Sequence, residues 1–566
     1  MGPEKVTAGG AIFPRLQALG IDYVFVNSGT DFPPIIEGLA QAAQTDHPLP
    51  QAVVVPHEHA AMGMAHGYYL MSGRAQAVLL HTNVGLANGA IGALNAACDH
   101  VPMLLMSGRT PATEQDRFGA RTVPIGWGQE MRDQTALVRE ACKWDYELRF
   151  PEQIAPMLDR GFAIANSTPK GPVYLNLPRE VLCEEVPAGT LGAAPMLAPV
   201  AIAPDENAIT AAANLLADAK RPLIIAQRGA GNARTFAAFG DFVARHGIAV
   251  SSWWATHLAL ATDHPCHIGQ DPGAAMADAD VVIVLDCLAP WWPDKHKLHP
   301  DAKVIHIGPD PLFSRTPTRG FRCDLAIAGE TDVTLGRLMQ ATDQHGTDPG
   351  LAARRHQSVR ALHDRYCADM DHLTAPRPDG ALTKARVSQL LGSALAGTPS
   401  TVFSELGTML GPLPRQDHQS WFQEPHSGGL GWSFPAAMGA KLASPDRTII
   451  ATMGDGSYMF ANPTACHQIA EALGLAIVII VLNNAEWGAV RQSVKGMYPN
   501  GSAARANTMP LTDLAPSPDF TKTAQASRAW AVCVSDETGL ITALTDALAQ
   551  TTAGRVALIE ARILPD

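Results

Sequence analysis

Short apolar runs alternate with helical segments along the whole chain. Each run is rich in valine, isoleucine or leucine and is too short for a buried helix, so we predict strands there. The predicted strands are 23–26, 52–55, 77–80, 101–106, 173–177, 222–226, 281–285, 303–307, 447–453 and 476–482. Strands that are apolar on both faces and alternate with helices are typical of parallel sheets covered on both sides. The pattern therefore predicts an α/β fold with doubly wound parallel sheets.

The length of the chain indicates more than one domain. At 566 residues it exceeds the size of one hydrophobic core, and three domains are expected. Two stretches, 186–204 and 340–382, are rich in proline, alanine and glycine and resemble linkers, the second around a charged helix. We therefore predict domains at 1–185, 200–342 and 380–566.

The third predicted domain contains the most specific motif. Gly454-Asp455-Gly456 follows one predicted strand, and Asn483-Asn484 follows the next, with a helix ended by Gly474 between them. A βαβ unit brings both strand ends to one edge of a parallel sheet. Glycines allow close approach of a ligand, and an aspartate and an asparagine supply hard oxygens, so this edge could hold Mg²⁺ against a diphosphate.

The first predicted domain contains a carboxylate, Glu58, at a position where burial is expected. Glu58 follows the strand 52–55 and opens a helix rich in alanine, glycine and methionine, where burial of an unpaired charge is costly. Glu58 could instead be a first-turn acid favoured by the helix dipole. A metal site with His57 and His59 is a third interpretation, for which no further ligand is evident.

A glycine-rich segment, Gly428-Gly429-Leu430-Gly431, precedes a further helix. Its glycines leave room for a ligand, and the branched Leu430 could wedge one in place. The alternative is a plain glycine-rich turn.

Together these motifs resemble those of the thiamine diphosphate (ThDP)-dependent enzymes, with patterns closest to benzoylformate decarboxylase and the acetolactate-synthase-like group. The resemblance covers nearly the whole chain and implies, in order, a pyrimidine-binding, a central and a diphosphate-binding domain. It implies ThDP and Mg²⁺ as cofactors, with Asp455, Asn484 and the backbone carbonyl of Glu486 as metal ligands. Gly454, Gly456 and Ser457 would line the diphosphate.

The resemblance also implies how the rest of the cofactor is held. Glu58 would bond N1′ of the aminopyrimidine and promote the tautomer that removes the C2 proton. The Gly428 carbonyl would bond the 4′-amino group, and Leu430 would prop the cofactor in its V shape.

Three further residues become candidate catalytic groups through the resemblance to benzoylformate decarboxylase. The loop 27–31 places Thr30 where a serine binds the substrate carboxylate, and the segment 81–88 places His81 at a catalytic histidine. His264, within Asp263-His264-Pro265-Cys266, matches a second catalytic histidine. The loop departs from the pattern at Asp31, which would repel a substrate carboxylate unless it is turned away or protonated.

The motifs identify the cofactor but leave the reaction open. A 2-oxo acid decarboxylase is favoured by His81 and the loop 27–31, whereas an acetolactate-synthase-like carboligase or a benzaldehyde-lyase-type enzyme is favoured by Asp31. A catalytically silent protein of this fold is a third hypothesis, disfavoured by the intact motifs. A turn at 228–232 weakly resembles a dinucleotide-binding turn, and we expect no FAD there.

Composition limits the partners and the location. The net charge of −12 argues against nucleic acid or an anionic membrane as a partner. Nine dispersed cysteines without a C-x-x-C pair fit a reducing cytoplasm. No signal peptide or transmembrane run is evident, so we expect a cytoplasmic protein. The family assembles its sites between subunits, so the resemblance implies a homodimer or homotetramer.

Overall fold

The computed structural model describes residues 5–44, 48–191, 193–506 and 508–565. Within them three parallel sheets follow one another along the chain. All the predicted strands coincide with or overlap observed strands, and the α/β fold with three doubly wound parallel sheets is confirmed.

The first sheet has six parallel strands. In spatial order they are Gln51–Val54, Tyr23–Val26, Gln76–Leu80, Met103–Arg109, Pro172–Pro178 and Asp145–Glu147. The α-helices of this part are Ala8–Ala18, Pro33–Ala42, Glu58–Ser72, Thr82–Cys98, Ile125–Gly128, Ile154–Asn166 and Arg179–Leu182. The strands Lys5–Thr7 and Glu185–Pro187, at the two ends of this part of the chain, form a separate antiparallel pair.

The second sheet has five parallel strands. In spatial order they are Ala249–Ser251, Pro222–Ala226, Val281–Leu285, Lys303–Gly308 and Leu325–Ala328. Its α-helices are Glu206–Asp218, Ala233–His246, Gly273–Met276 and Thr331–His345.

The third sheet has six parallel strands. In spatial order they are Trp421–Gln423, Ser400–Glu405, Thr448–Gly454, Val478–Asn483, Ala557–Arg562 and Trp530–Val534. Its α-helices are Lys384–Ala394, Ser433–Ala443, Asp455–Phe460, Pro463–Ala472, Gly488–Met497, Ser502–Arg505, Phe520–Gln525 and Glu537–Thr552.

The two segments predicted to be linkers differ in their secondary structure. The stretch 340–382 is mostly helix, because Thr331–His345 extends into it and Pro349–Leu373 forms a helix of 25 residues. Among the described residues of 186–204, regular structure is limited to the end of the strand Glu185–Pro187 and a 3₁₀ turn at Ala188–Thr190. The domain limits at 1–185, 200–342 and 380–566 stay predictions.

The first and third domains share a hydrophobic core built on a close helix crossing. Glu58–Ser72 packs against Ser433–Ala443, and glycines allow the approach. A Cβ added to Gly67 would lie 1.9 Å from the carbonyl oxygen of Ala436, and one on Gly439 would lie 1.9 Å from that of Met64. The crossing fixes the start of the helix that carries Glu58 relative to the glycine-rich segment before Ser433.

A helix that crosses a bilayer must be long and apolar. In the part of the chain that the structure describes, no helix is long and apolar enough to cross a membrane.

Candidate active site

Asp455 and Asn484 lie at one edge of the third sheet. Thr448–Gly454 and Val478–Asn483 are neighbouring parallel strands with Gly454 opposite Leu482, so their carboxyl ends are adjacent. Asp455 is 3% exposed and begins the helix Asp455–Phe460. The structure thus brings Asp455 and Asn484, two of the three residues predicted to bind metal, to the same sheet edge.

Unpartnered acidic oxygens make this edge suited to a cation. Oδ2 of Asp455 and Oε1 of Glu486 are buried and accept no hydrogen bond. Burial, opposed by backbone N–H groups and reinforced by the charge of Glu486, raises the pKa of Asp455 to about 6. Each of these two carboxyl groups leaves one buried oxygen without a donor, which costs free energy that a divalent ion could recover. These residues fit Mg²⁺.

The two asparagines of the motif have different surroundings. Asn483 is buried, donates to Glu560 at 2.9 Å and accepts from the backbone N–H of Ala485 at 2.9 Å. Asn484 is half-buried, and its Oδ1 accepts from the N–H of Glu486 at 3.2 Å, which leaves one lone pair. Asn483 therefore holds the loop, and Asn484 is the residue available to a ligand.

The backbone carbonyl and the side chain of Glu486 have different partners. Its carbonyl accepts from the N–H of Gly488 at 2.9 Å and retains a second lone pair. Its carboxylate pairs with Arg491 at 3.2 Å. Among the residues with described coordinates, no group of three or more His, Cys, Asp or Glu could hold a metal ion. A site here therefore depends on amide and carbonyl oxygens besides Asp455.

Gly456 and Ser457 are both buried beside Asp455. A Cβ on Gly456 would lie 2.3 Å from the ring of Trp487, so glycine is required where the indole covers the loop. Gly454 is half-buried at the strand end. The hydroxyl of Ser457 interacts with Glu405.

Glu405 is a site residue that the sequence analysis missed. It ends the strand Ser400–Glu405, is fully buried, and accepts from the N–H groups of Gly431 and Ser433 at 2.5 and 2.7 Å. Burial, opposed by these donors, raises its pKa to about 7. The strand contains Ser400, Thr401 and Ser404, so no apolar run pointed to Glu405 in the sequence. Its hydrogen bonds fix the glycine-rich segment.

The glycine-rich segment is also held from the first domain. Asn95 donates to the Gly429 carbonyl at 2.9 Å and accepts from the hydroxyl of Ser427 at 2.6 Å. Gly428 is exposed and has φ 71°, a conformation that favours glycine. Leu430 is half-buried. The carbonyl of Gly428 and the side chain of Leu430 therefore lie on a fixed, accessible turn.

Glu58 lies where the helix Glu58–Ser72 begins and is 8% exposed. Its Oε2 accepts from Nδ2 of Asn88 at 3.2 Å, and a Cβ on Gly85 would lie 3.2 Å from its Oε1. The charge of Glu58 acts on His81. The neighbouring His59 is buried, and burial lowers its pKa to about 4. His59 is therefore a neutral packing residue.

His81 forms a close pair with Asp31. Nδ1 of His81 lies 2.5 Å from Oδ1 of Asp31, and Oδ2 of Asp31 accepts from the N–H of Thr82 at 3.4 Å. Nε2 of His81 lies 3.2 Å from the side-chain nitrogen of Gln129. The hydrogen bond to Asp31 raises the pKa of His81, against the opposite effect of burial. Asp31 is turned toward the histidine.

The other two candidates differ in their position relative to this pair, since Thr30 adjoins Asp31 in the chain and His264 does not lie nearby. Thr30 is exposed, and its carbonyl accepts from Arg179 at 3.3 Å. His264 is in the second domain, where its Nδ1 accepts from the N–H of Cys266 at 3.1 Å and its ring lies near Gly240. Within this chain the structure does not bring His264 to His81.

Three profiles of thiamine pyrophosphate enzymes match the chain. The N-terminal TPP-binding domain matches residues 6–137, the central domain 209–338 and the C-terminal TPP-binding domain 407–561. This chain belongs to the ThDP-dependent enzymes. ThDP is therefore its cofactor, and the family suggested by the sequence motifs is confirmed.

Curated relatives include decarboxylases and synthases. A probable 2-ketoarginine decarboxylase of Pseudomonas aeruginosa is 27% identical over 523 residues, covering 88% of this chain and 86% of that protein. The large subunit of acetolactate synthase isozyme 3 of Escherichia coli is 25% identical over 590 residues, covering 99% of this chain and 95% of that protein.

A solved structure agrees with the fold of this ThDP enzyme. The ThDP-dependent 4-hydroxybenzoylformate decarboxylase of Rhodococcus jostii RHA1 aligns with a TM-score of 0.78 at 23% identity. The alignment covers 99% of this chain and 100% of that chain.

Proposed function

We propose that this ThDP enzyme decarboxylates a 2-oxo acid with Mg²⁺ as the companion metal, in the manner of benzoylformate decarboxylase. The observation that carries the proposal is the His81–Asp31 pair beside Glu58. It supplies a histidine with a raised pKa and one ring nitrogen outside the pair. The decarboxylation of an oxo acid ends with a protonation, and such a histidine is suited to provide that proton.

The residues proposed to hold the cofactor lie at the carboxyl edge of the third sheet and in the glycine-rich segment. Asp455, Asn484 and the carbonyl of Glu486 would bind Mg²⁺, and Gly454, Gly456 and Ser457 would line the diphosphate. The turn with Gly428 and Leu430 would hold the aminopyrimidine and the V shape. Bound ThDP supplies the nucleophilic carbon and the electron sink for cleavage of a bond next to a carbonyl.

The protein side chains would then move protons and position the substrate. Glu58, oriented by Asn88, exchanges a proton with the aminopyrimidine N1′. His81 exchanges a proton through Nε2, while Asp31 holds Nδ1. Because Asp31 is turned toward His81, its charge is balanced and does not oppose a substrate carboxylate nearby. Thr30 would bind that carboxylate. His264 is a second proposal without geometric support within this chain, because it lies in the second domain, where its ring is near Gly240.

We propose a homodimer, or a tetramer of such dimers, with the site between subunits. Glu58 and Asp455 belong to different sheets. The helix Thr82–Cys98 exposes an apolar face with Val84, Ile91 and Leu94 at 47, 37 and 48% exposure. The exposed Asn88, the partner of Glu58, lies on the same face. A second copy covering this face would bring its own diphosphate-binding domain to Glu58.

The test is CO₂ release by purified protein with ThDP and Mg²⁺. The panel includes pyruvate, benzoylformate, branched 2-oxo acids and 2-oxo-5-guanidinopentanoate, the last because a relative is named for that acid. Release with an aldehyde as product supports the proposal. Release with a carboligation product supports the alternative, an acetolactate-synthase-like carboligase, which the similarity to acetolactate synthases favours.

Three further outcomes have separate meanings. Protein that binds ThDP but releases no CO₂ from any acid would contradict the decarboxylase and point to a benzaldehyde-lyase-type cleavage of hydroxyketones. Unchanged turnover in Glu58→Ala would contradict the proposed cofactor chemistry. Absence of any turnover on acids, aldehydes and hydroxyketones would point to a catalytically silent protein.

A further inference from the structure

A cavity of about 280 Å³ lies between the second and third domains. One wall is the loop that follows Ser400–Glu405, with Leu406, Thr408 and Met409. Gln423 and Glu424 form a second wall, and the tryptophans at 253 and 254 form a third. The volume is close to the lower end of small-molecule pockets. It has room for the side chain of a small organic acid.

The cavity adjoins the proposed cofactor site. The strand Ser400–Glu405 pairs in parallel with Thr448–Gly454, so the loop that lines the cavity and the loop that carries Asp455 leave the same sheet edge. Glu405 interacts with the hydroxyl of Ser457 and with the charge of Glu424. A substrate bound at the cofactor could therefore extend its side chain toward Glu424.

Glu424 carries an unsatisfied oxygen at this cavity. Its Oε2 is buried and accepts no hydrogen bond, whereas both oxygens of the nearby Glu405 accept from backbone N–H groups. Burial, followed by the charge of Glu405, raises the pKa of Glu424 to about 8, against the opposite effect of the charge of Lys384. A cation bound beside Glu424 would favour its ionised form. A buried carboxyl oxygen without a donor costs free energy that a ligand donor would recover.

The remaining lining suits a planar or diffuse cation. Indole faces attract cations, and the cavity has two, Trp253 and Trp254. Asp271 adds a second acid. Lys384 also reaches the cavity, but its ammonium donates to the carbonyl of Leu406 at 2.9 Å. The chemistry at the wall around Glu424 is therefore that of a carboxylate beside aromatic rings.

We propose that Glu424 recognises a positively charged N–H donor, such as a guanidinium or ammonium group, at the end of the substrate side chain. This inference rests on the proposed function, because it names the class of 2-oxo acid that the same site would take. Substrate binding would place the cation in the cavity, against the carboxyl group of Glu424.

The first test compares matched acids on the ThDP- and Mg²⁺-loaded enzyme. We would measure kcat/KM for 2-oxo-5-guanidinopentanoate, for its neutral near-isostere 2-oxo-5-ureidopentanoate, and for the anionic 2-oxoadipate. The expected preference for the guanidinium acid over the ureido acid is about tenfold or more. Equal values for the first two acids, or preference for the anionic one, would overturn the inference.

The second test removes the ionisable carboxyl group of Glu424. In Glu424→Gln the ratio between the guanidinium and ureido acids should fall toward one, mainly through KM. Glu152→Gln, at an exposed position, should keep the ratio of the native enzyme. Thermal unfolding controls for folding, since removal of an unpartnered buried carboxyl should not lower the melting temperature. An unchanged ratio of kcat/KM between the two acids in folded Glu424→Gln protein would overturn the inference.

Direct binding separates this inference from the proposed function. Calorimetry on the loaded protein would use 5-guanidinopentanoate and 5-ureidopentanoate, which lack the oxo group. Tighter binding of the guanidinium ligand that is lost in Glu424→Gln supports the inference even when no acid is decarboxylated. Absence of that difference contradicts the inference, even when decarboxylation of another acid supports the proposed function.

Discussion

Asp31 holds His81 through a hydrogen bond of 2.5 Å between Oδ1 and Nδ1. The second oxygen of Asp31 accepts from the N–H of Thr82, so the carboxylate is fixed at both ends. Because the bond favours the protonated ring, it raises the pKa of His81 and directs Nε2 away from Asp31. The pair gives the first domain a positioned proton donor close to Glu58.

Asp31→Asn should lower the pKa of His81, since an amide keeps the shape of the carboxylate but not its charge. We expect kcat to fall by about 100-fold, the scale of a single acid–base contribution. The pKa of His81, measured by NMR titration of the ring, should shift downward. Loss of kcat with an unshifted histidine pKa would contradict the assigned role of Asp31.

The same variant should also change the pH dependence of stability. A raised folded pKa stabilises the protein fully below the ordinary value of 6.5, and this stabilisation is lost as the pH rises through the folded pKa. Asp31→Asn should therefore lower the melting temperature more in mildly acidic than in alkaline buffer. An equal loss of melting temperature in both buffers would contradict a charged His81–Asp31 pair.

Glycines make room for the pair, and Gly108→Ala should disrupt it. A Cβ at Gly108 would lie 1.4 Å from Oδ2 of Asp31, and one at Gly29 would lie 2.0 Å from Nδ1 of His81. Gly108→Ala should displace Asp31, lower the pKa of His81 and reduce kcat about as much as Asp31→Asn does. Gly336, exposed in a helix with nothing within 4 Å of an added Cβ, is the control.

Gly336→Ala should leave kcat unchanged and stabilise the protein by up to about 1 kcal/mol, the difference in helix propensity. A folded Gly108→Ala enzyme with native kcat and native histidine pKa would show that the pair tolerates movement.

Sequence patterns predicted the strands and the shared sheet edge of Asp455 and Asn484 because both depend on local order. A strand end and the residues after it are contiguous, so Asp455 and Asn484 could be placed from spacing alone. The Asp31–His81 pair joins positions 50 residues apart. The sequence indicates Asp31 as a charge that would repel a substrate carboxylate unless it is turned away or protonated, and does not indicate its bond to His81. Glu405 was missed for a similar reason, since its partners Gly431 and Ser433 come from a distant segment.

Asp455→Asn should separate cofactor binding from stability. Oδ2 of Asp455 has no partner in the structure, so replacing the carboxylate should keep or raise the melting temperature of the cofactor-free protein. The native protein should gain about 2.7 kcal/mol at a ligand concentration of 100 Kd when ThDP and Mg²⁺ are added. The variant should gain little. A cofactor-free variant markedly less stable than the native protein would mean that Asp455 has a structural partner.

The apolar face of the helix Thr82–Cys98 should be the contact between subunits. Ile91→Glu places a charge on this face, and we expect the variant to run as a monomer in light scattering and to lose turnover. Val333→Glu changes an exposed apolar residue on another helix and should keep the native mass. A dimeric Ile91→Glu variant would contradict this interface.

Mixing two inactive variants tests whether the site is shared between subunits. Co-refolded or co-expressed Glu58→Gln and Asp455→Asn chains should form mixed dimers with one intact site each, restoring about a quarter of the native activity. No recovery from a preparation shown to contain mixed dimers would place Glu58 and Asp455 in a site within one chain.

Asp99 connects the first and second domains through a buried network and should be a major determinant of stability. Its carboxylate lies 3.3 Å from His66, 3.2 Å from His257 and 3.5 Å from Arg228, which begins the turn 228–232. Burial alone would raise the pKa of Asp99, but His257 and His66 outweigh it and hold the pKa well below 3.8. The carboxylate is therefore charged and compensated at neutral pH.

Asp99→Asn would leave Arg228 with less compensation inside the protein, and Asp286 at 3.5 Å is its other acidic neighbour. Removing one partner of a buried ion pair costs about 3–5 kcal/mol, so the melting temperature should fall clearly. Asp379→Asn, which breaks an exposed pair with Arg377, is the control and should change stability little. If the two variants unfolded at the same temperature, the network around Asp99 would contribute no more than a surface ion pair.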